Sequence, residues 1–312
     1  MSKGLKALYP NYSSKAISFT IDDGNIPMDE KFISITAPAL IKGTFNLCSN
    51  LVGRDKGDFY RTMYSGYEIA NHCKYHPYAM DDSIEYTFCD ASERASAVAD
   101  PSRLYPKEGA PEGIYSVLLE RGWRDIAETD TYIRCIDESH RELEEVFGEG
   151  SVVSYVWPFC EQNNARIKEH IASVGYENVR RTGCTRDTTG FAVPKNRMAW
   201  SYNADNRTLL EVARMYEEYP SDGELKAFIL GVHSWDFERD SNWQDLEKFA
   251  ATYGGRPDDY WYATVREIFD YADAADALVV DGDTVVNPSD LDVYVDQNGK
   301  RYVIKAGKSL KI

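Results

Sequence analysis

The feature that most constrains the fold is a series of short apolar runs, most of them separated from the next by a segment of helical periodicity. The apolar runs comprise residues 15–21, 43–47, 66–70, 152–157 and 227–232. The helical segments comprise residues 28–41, 131–147, 165–174, 206–218, 241–253 and 262–275. Strands that alternate with helices pack as a parallel sheet covered by helices, so the pattern predicts an α/β fold.

Polar residues follow three of the predicted strands directly. Asp22 and Asp23 end the first strand, His72 follows the third, and His233 follows the last. In (β/α) barrels the functional residues lie at the carboxyl ends of the strands. The positions of these side chains therefore favour a barrel with its active site at that end.

Two segments depart from the α/β pattern. Residues 81–131 are polar and aromatic, and we interpret them as an irregular insertion with one or two short helices. Near the C-terminus, Asp281-Gly282 and Asn298-Gly299 each lie between short apolar runs, which is a strong hairpin signal. We therefore predict a catalytic barrel over residues 1–276, including the insertion, and a small β appendage over residues 277–312.

The charge of the chain limits its partners. The net charge of −16 argues against nucleic acid and against anionic membrane surfaces, and favours a neutral or cationic ligand. No apolar stretch is long enough to span a membrane, and the first ten residues lack the apolar core of a signal peptide. We expect a cytoplasmic protein, or a secreted one if a leader has been removed. The six scattered cysteines are expected to be reduced, and the oligomeric state stays open.

Three groups of residues suggest chemistry before any family is considered. Adjacent strand residues point to opposite sides, so Asp22 and Asp23 can serve two roles, or they can form an ordinary surface turn. His72 and His76 are four residues apart and can share one cation if the segment is helical. His233 after an apolar strand is either a catalytic acid or a buried structural histidine.

The same residues resemble the motifs of the polysaccharide deacetylases, which form carbohydrate esterase family 4. The segments that carry the resemblance are 18–24 (Ser-Phe-Thr-Ile-Asp-Asp-Gly), 66–77, 155–160, 230–234 and 261–268. They occur in the family's order and span about residues 15–272. The resemblance implies a distorted (β/α) barrel of about seven strands and a substrate that is an N- or O-acetylated sugar or oligosaccharide.

The resemblance also implies residue roles. Asp23, His72 and His76 would bind a divalent metal, with zinc expected and cobalt or nickel as alternatives. Asp22 would act as general base, and His233 would protonate the departing amine or alcohol.

Further positions are expected at the substrate. Leu230 would line a pocket for the acetyl methyl group, and the backbone N–H of Phe159, after Pro158, would hold the oxyanion. Trp200 and Trp235 are predicted to contact the substrate as well.

The chain departs from the family pattern in its third and fourth motifs. The third motif usually carries an arginine that orients the base, and Val156 occupies that position. Possible substitutes are Arg180, Arg181 and Arg197. Cys160 replaces the usual glycine, and Trp200 with Asp205 is the best candidate for the fourth motif, which supports the acid.

Three functions remain open from the sequence. The leading one is removal of acetyl groups from carbohydrate by a metal-dependent hydrolase. The second is hydrolysis of a small non-sugar amide on the same scaffold. The third is a non-catalytic metal-binding or sugar-binding protein, which the loss of the arginine at Val156 favours and the presence of Asp22 and His233 opposes.

Overall fold

The structure is a computed structural model that describes residues 4–79, 85–86, 97–98, 105–119, 122–161, 164–181 and 191–312. The strands are β1 (Leu5–Leu8), β2 (Lys15–Asp23), β3 (Thr44–Leu47), β4 (Glu68–Asn71), β5 (Tyr78–Ala79), β6 (Glu85–Tyr86), β7 (Ala97–Val98), β8 (Tyr105–Pro106), β9 (Ile114–Leu119), β10 (Gly122–Ala127), β11 (Ser154–Val156), β12 (Asn178–Arg180), β13 (Lys226–His233), β14 (Trp261–Tyr262), β15 (Val279–Asp281), β16 (Thr284–Val286), β17 (Val293–Gln297), β18 (Lys300–Ile304) and β19 (Ser309–Lys311). The helices are α1 (Ile26–Thr36), α2 (Gly57–Met63), α3 (Thr129–Phe147), α4 (Ala165–Val174), α5 (Leu209–Glu218), α6 (Asp236–Arg239), α7 (Trp243–Tyr253) and α8 (Val265–Asp276).

A curled parallel sheet forms the centre of the molecule. Its strand order is β12-β11-β4-β3-β2-β13, and the short strand β14 pairs with the first half of β2. The longest pairing joins β2 to β13 in parallel over eight residue pairs. The sheet is a half-barrel, which confirms the predicted α/β fold of the (β/α) barrel type.

The two faces of β2 explain why its sequence specifies a half-barrel. Ile17, Phe19 and Ile21 are buried in a hydrophobic cluster with residues of α1, α5 and α7. Burial of each such side chain stabilises the fold by about 2 kcal/mol. Thr20 and Asp22 alternate with them and point to the concave face. Helices therefore cover the convex face, and polar side chains collect on the concave one.

Residues near the C-terminus form two hairpins. β15 and β16 join β19 in one three-stranded sheet, while β17 pairs with β18 on one side and with β1, from the start of the chain, on the other. The hairpin turns contain Gly282 at φ +62° and Gly299 at φ +86°, backbone conformations that glycine adopts without a Cβ penalty. The Tyr271 hydroxyl on α8 donates to the carbonyl of Leu8 and accepts from the Tyr294 N–H. The proposed boundary at residue 277 stays a prediction.

The described part of the insertion is a regular sheet, whereas an irregular segment with one or two short helices was predicted. β8, β9 and β10 form an antiparallel sheet, and β10 runs parallel to β5, the strand that follows the His72–His76 segment. The expectation of irregular backbone is therefore wrong for these three strands. The remainder of the predicted insertion, apart from β6, β7 and the first turn of α3, lies outside the described residues.

Two smaller findings concern helix hydropathy and the cysteines. Within the described ranges, no helix is long and apolar enough to cross a membrane.

Cys48, Cys73 and Cys135 are free thiols, whereas Cys160 is disulfide-bonded. The expectation that all six cysteines are reduced is therefore wrong at Cys160.

Candidate metal and catalytic site

The end of β2 presents its two aspartates in different directions. Asp22 is the last residue of β2 to pair with β13, directly opposite His233. Asp23 has a φ of +78°, in the left-handed region that aspartate tolerates better than most residues. This turn of the backbone separates the two carboxylates, so they are available for different partners.

The segment with His72 and His76 is a loop, so the helical condition attached to their spacing is not met. Cys73 and His76 both have positive φ, at +64° and +53°. This folded loop nevertheless brings the imidazole rings of His72 and His76 to a centroid distance of 4.7 Å. The Val156 carbonyl lies 2.9 Å from Nδ1 of His72; a carbonyl only accepts, so Nδ1 carries the proton and Nε2 presents a lone pair.

The nitrogen atoms of this loop converge on the carboxylate of Asp23. Oδ1 of Asp23 lies 3.7 Å from Nε2 of His72 and 3.6 Å from Nε2 of His76. One ligand atom from each of the three residues lies within 4.8 Å of the other two. Within the part of the chain that the structure describes, the buried atoms Asp23 Oδ1 and His72 Nε2 have no hydrogen-bond partner, which is unusual for buried polar atoms. An Asp-His-His set of this geometry fits a divalent cation.

The protonation of the two imidazoles agrees with this fit. Burial is the largest influence on both rings and lowers the pKa of His72 below its ordinary value. Burial and the neighbouring His72 ring lower the pKa of His76 to about 4. Both rings are therefore neutral near pH 7, the state in which imidazole binds a metal.

Asp22 is held from both of its oxygens. Asn46 on β3 donates its amide to Oδ1 at 2.7 Å, and Arg180 on β12 donates to Oδ2 at 2.5 Å. Both donors also bind the Thr20 hydroxyl. Burial alone would raise the pKa of Asp22, but the Arg180 guanidinium and nearby imidazoles outweigh it and hold the pKa well below its ordinary value. Asp22 is therefore a fixed, ionised carboxylate.

The position of Arg180 indicates which residue takes the place of the arginine that is missing from the third motif. Val156 on β11 and Arg180 on β12 are direct partners in the parallel pairing. The arginine thus reaches Asp22 from the neighbouring strand. Of the other candidates, Arg181 pairs with Glu161 and Arg197 bonds two carboxylates on α8.

His233 is oriented by a carboxylate that the sequence analysis missed. Oδ2 of Asp236 accepts hydrogen bonds from Nδ1 of His233 at 3.0 Å and from its backbone N–H at 2.9 Å. Burial lowers the pKa of His233, but the Asp236 hydrogen bond and the charges of Asp23 and Asp22 raise it to about 9. The spacing of three residues between His233 and Asp236, across a strand end, is the signal that could have identified this pair.

The predicted roles of Trp200 and Asp205 are wrong. Trp200 is only 5% exposed and packs against Phe269 of α8 in a hydrophobic cluster that also contains Ala16 and Ile229. Asp205 accepts hydrogen bonds from the backbone N–H and hydroxyl of Thr208 at the start of α5. Neither residue contacts His233, and Asp236 supplies the carboxylate in their place.

Phe159 lies at the edge of the site in a constrained conformation. Its φ is +61°, and its ring is 39% exposed. The ring stacks on Tyr78 at 3.8 Å and meets the His76 ring edge-on at 4.4 Å. Pro158 accepts a hydrogen bond from the Cys160 N–H, which closes the turn around Phe159. A positive φ in a phenylalanine is rare enough to suggest a functional constraint.

The prediction for Leu230 is also wrong. Leu230 is only 2% exposed and packs in the convex-face cluster, because it alternates with His233 along β13. Gly231 shares the concave face with His233. A Cβ at Gly231 would lie 2.0 Å from the Tyr202 ring, so that ring fills the space a side chain would need.

The structure combines a curled parallel half-barrel with an Asp-His-His cluster at the carboxyl ends of its strands. These two features define the class of the protein, which is a (β/α) barrel with a candidate metal site. The sequence model of the polysaccharide deacetylases matches residues 10–179, more than half of the 312 residues. The chain therefore belongs to the polysaccharide deacetylase family. The match ends one residue before Arg180.

One solved structure agrees with the chain at the level of the fold, and two others are similar to it at TM-scores below 0.5. A putative polysaccharide deacetylase from Mycobacterium smegmatis is 16% identical, with 87% of this chain and 94% of that one covered and a TM-score of 0.52. A family 4 acetyl xylan esterase from Clostridium thermocellum, in complex with a cobalt ion, is 13% identical (81% and 90% covered, TM-score 0.45). The chitin deacetylase from the fungal pathogen Colletotrichum lindemuthianum is 15% identical (84% and 89% covered, TM-score 0.42). No curated protein matches the chain.

Proposed function

We propose that the protein is a metal-dependent deacetylase that removes acetyl groups from N- or O-acetylated carbohydrate. The observation that carries the proposal is the direct pairing of Asp22 with His233 across β2 and β13, with Nε2 of His233 3.8 Å from Oδ2 of Asp23. A carboxylate base and an imidazole acid thereby lie beside the carboxylate that completes the Asp-His-His set. Membership of the polysaccharide deacetylase family supports the substrate class.

Each side chain has one task in this reaction. Asp22, fixed by Arg180 and Asn46, accepts the proton of the attacking water. His233, charged at neutral pH and oriented by Asp236, gives a proton to the departing amine or alcohol. The N–H of Phe159 stabilises the oxyanion. When bound to Asp23, His72 and His76, a divalent metal (zinc expected, cobalt or nickel possible) supplies Lewis-acid polarisation of the carbonyl and activates water near neutral pH.

The support for Asp22 also weighs against the non-catalytic hypothesis. That reading depended on Val156, because an unsupported base would indicate a decayed site. Arg180 reaches Asp22 from the adjacent strand, so the charge partner is retained. A protein that only bound metal or sugar would need neither this partner nor the His233–Asp236 pair.

Metal removal tests the proposal directly. We expect the purified protein to release acetate from at least one member of a panel of acetylated sugars and oligosaccharides. Treatment with a chelator should abolish the release, and zinc or cobalt should restore it, because His72 and His76 offer the ligand atoms that such ions prefer. Acetate release that persists through chelation would contradict the metal-dependent mechanism. Turnover of small amides with none of the sugars would favour the non-sugar amidase.

Replacement of Asp236 by asparagine should impair the acid without removing metal. Loss of the carboxylate removes the main interaction that raises the pKa of His233, so the proton should be lost at lower pH than about 9. The basic limb of the pH–rate profile should therefore move to lower pH, and kcat should fall by about 10²-fold. A pH profile and cobalt titration of Asp236→Asn check this. An unchanged basic limb would show that Asp236 does not control His233.

A further inference from the structure

Trp235 contacts both Asp23 and His233. Its indole N–H donates to Oδ2 of Asp23 at 3.2 Å. Its ring stacks on the His233 imidazole, with a centroid distance of 4.6 Å and an interplanar angle of 28°. One side chain therefore contacts a proposed metal ligand and the proposed acid at once.

The indole hydrogen bond orients the Asp23 carboxylate. Among the described residues, Trp235 provides the hydrogen bond to Oδ2, while Oδ1 is buried and has no hydrogen-bond partner. Oδ1 is also the oxygen that lies 3.6–3.7 Å from the imidazole nitrogens of His76 and His72. With one oxygen held by the indole, the other is aimed at the point where the ligand atoms converge. Outer partners of this kind fix the geometry of a metal ligand.

The stacking contact orients the acid. Trp235 packs on the His233 ring, and the Arg239 guanidinium lies 5.1 Å from the indole centroid. Arg239 binds Asp236, which in turn accepts from Nδ1 of His233. The imidazole is thus held in its plane by the indole and along one edge by Asp236. Its Nε2 lies 3.8 Å from Oδ2 of Asp23.

We propose that Trp235 is a positioning residue that couples the metal-binding carboxylate to the acid, and that it sets the orientation of both. The inference rests on the proposed function, because it assigns Trp235 a role through Asp23 and His233. The contact of Trp235 with the substrate stays a separate prediction. Its two contacts are chemically separable, since phenylalanine keeps an aromatic ring and lacks the N–H.

The test compares three variants of the full chain by cobalt binding, measured by competition with a chromophoric chelator, and by the visible spectrum of the cobalt-loaded protein. Trp235→Phe removes the N–H and keeps an aromatic ring beside His233. Trp235→Leu removes both contacts. Trp243→Phe is the matched control, because Trp243 also donates its N–H to a carboxylate, that of Glu238 at 2.8 Å, outside the proposed site.

We expect Trp235→Phe to bind cobalt about 10-fold more weakly than the wild type, with a changed visible spectrum. Trp243→Phe should bind as the wild type does. Trp235→Leu should lose cobalt affinity to the same extent and show a lower kcat than Trp235→Phe when cobalt is saturating, because the acid has lost its stacking surface. If Trp235→Phe kept the wild-type cobalt affinity and visible spectrum, the inference about Trp235 would be wrong and the proposed function would still stand. A wild-type protein that binds no cobalt would overturn the proposed function and the inference with it.

Discussion

Replacement of Asp22 by asparagine is expected to lower kcat by about 10²- to 10⁴-fold while metal binding stays unchanged. Asparagine keeps the size of the side chain and can still accept a hydrogen bond from Arg180, but it cannot take a proton from water. Asp22 is not among the three ligand residues, so the cation site should remain intact. Acetate release and cobalt titration, measured on the same preparation of Asp22→Asn, check both halves of this expectation.

The neighbouring residue provides the control. Asp23→Ala should lose cobalt binding, because it removes the oxygen on which both imidazole nitrogens converge. Its activity should then fail to return when metal is added back. If Asp22→Asn retained the full rate, another group would be the base; if Asp22→Asn lost metal as Asp23→Ala does, the division of roles between the two carboxylates would be wrong.

The sequence was most informative about the polar residues that follow directly after apolar strands. Asp22, Asp23 and His233 could be placed together because the carboxyl ends of parallel strands meet at one edge of the sheet. The strand boundaries near them were also predictable, since buried parallel strands form nearly continuous apolar runs. The end of α4 could be predicted from Gly175, and the hairpin turns at Gly282 and Gly299 from the Asp-Gly and Asn-Gly pairs between apolar runs.

The errors at the site share one cause, which is that the directions of the side chains and the register of the strands were unknown. His72 and His76 converge through a loop with positive φ values, which a helical spacing rule does not describe. Leu230 was assigned to the pocket although it alternates with His233 and points to the other face. Asp236 was overlooked because its bond to His233 depends on the turn between β13 and α6.

Arg180 could be assigned to Asp22 only when the register of β11 and β12 was known. Its replacement is the second change with a large expected effect. The side chain is buried, as is Asp22, so removal of the guanidinium leaves an unpaired buried carboxylate. We expect Arg180→Val to lower the free energy of unfolding by about 3–5 kcal/mol. It should also lower kcat at least about 10-fold, because Asp22 loses the donor to Oδ2 and is no longer held in one orientation. Denaturant unfolding and acetate release measure the two effects.

The decisive variant moves the arginine back to the strand where the family carries it. Val156 and Arg180 are direct partners on β11 and β12, so Val156→Arg combined with Arg180→Val exchanges the two side chains across one strand pair. We expect the double variant to recover most of the stability and rate lost in Arg180→Val. Arg181→Met is the control, because that exposed arginine pairs with Glu161 and should change stability by no more than about 0.5 kcal/mol. A double variant no better than Arg180→Val would mean that Arg180 acts through its position on β12 and does not replace the motif arginine.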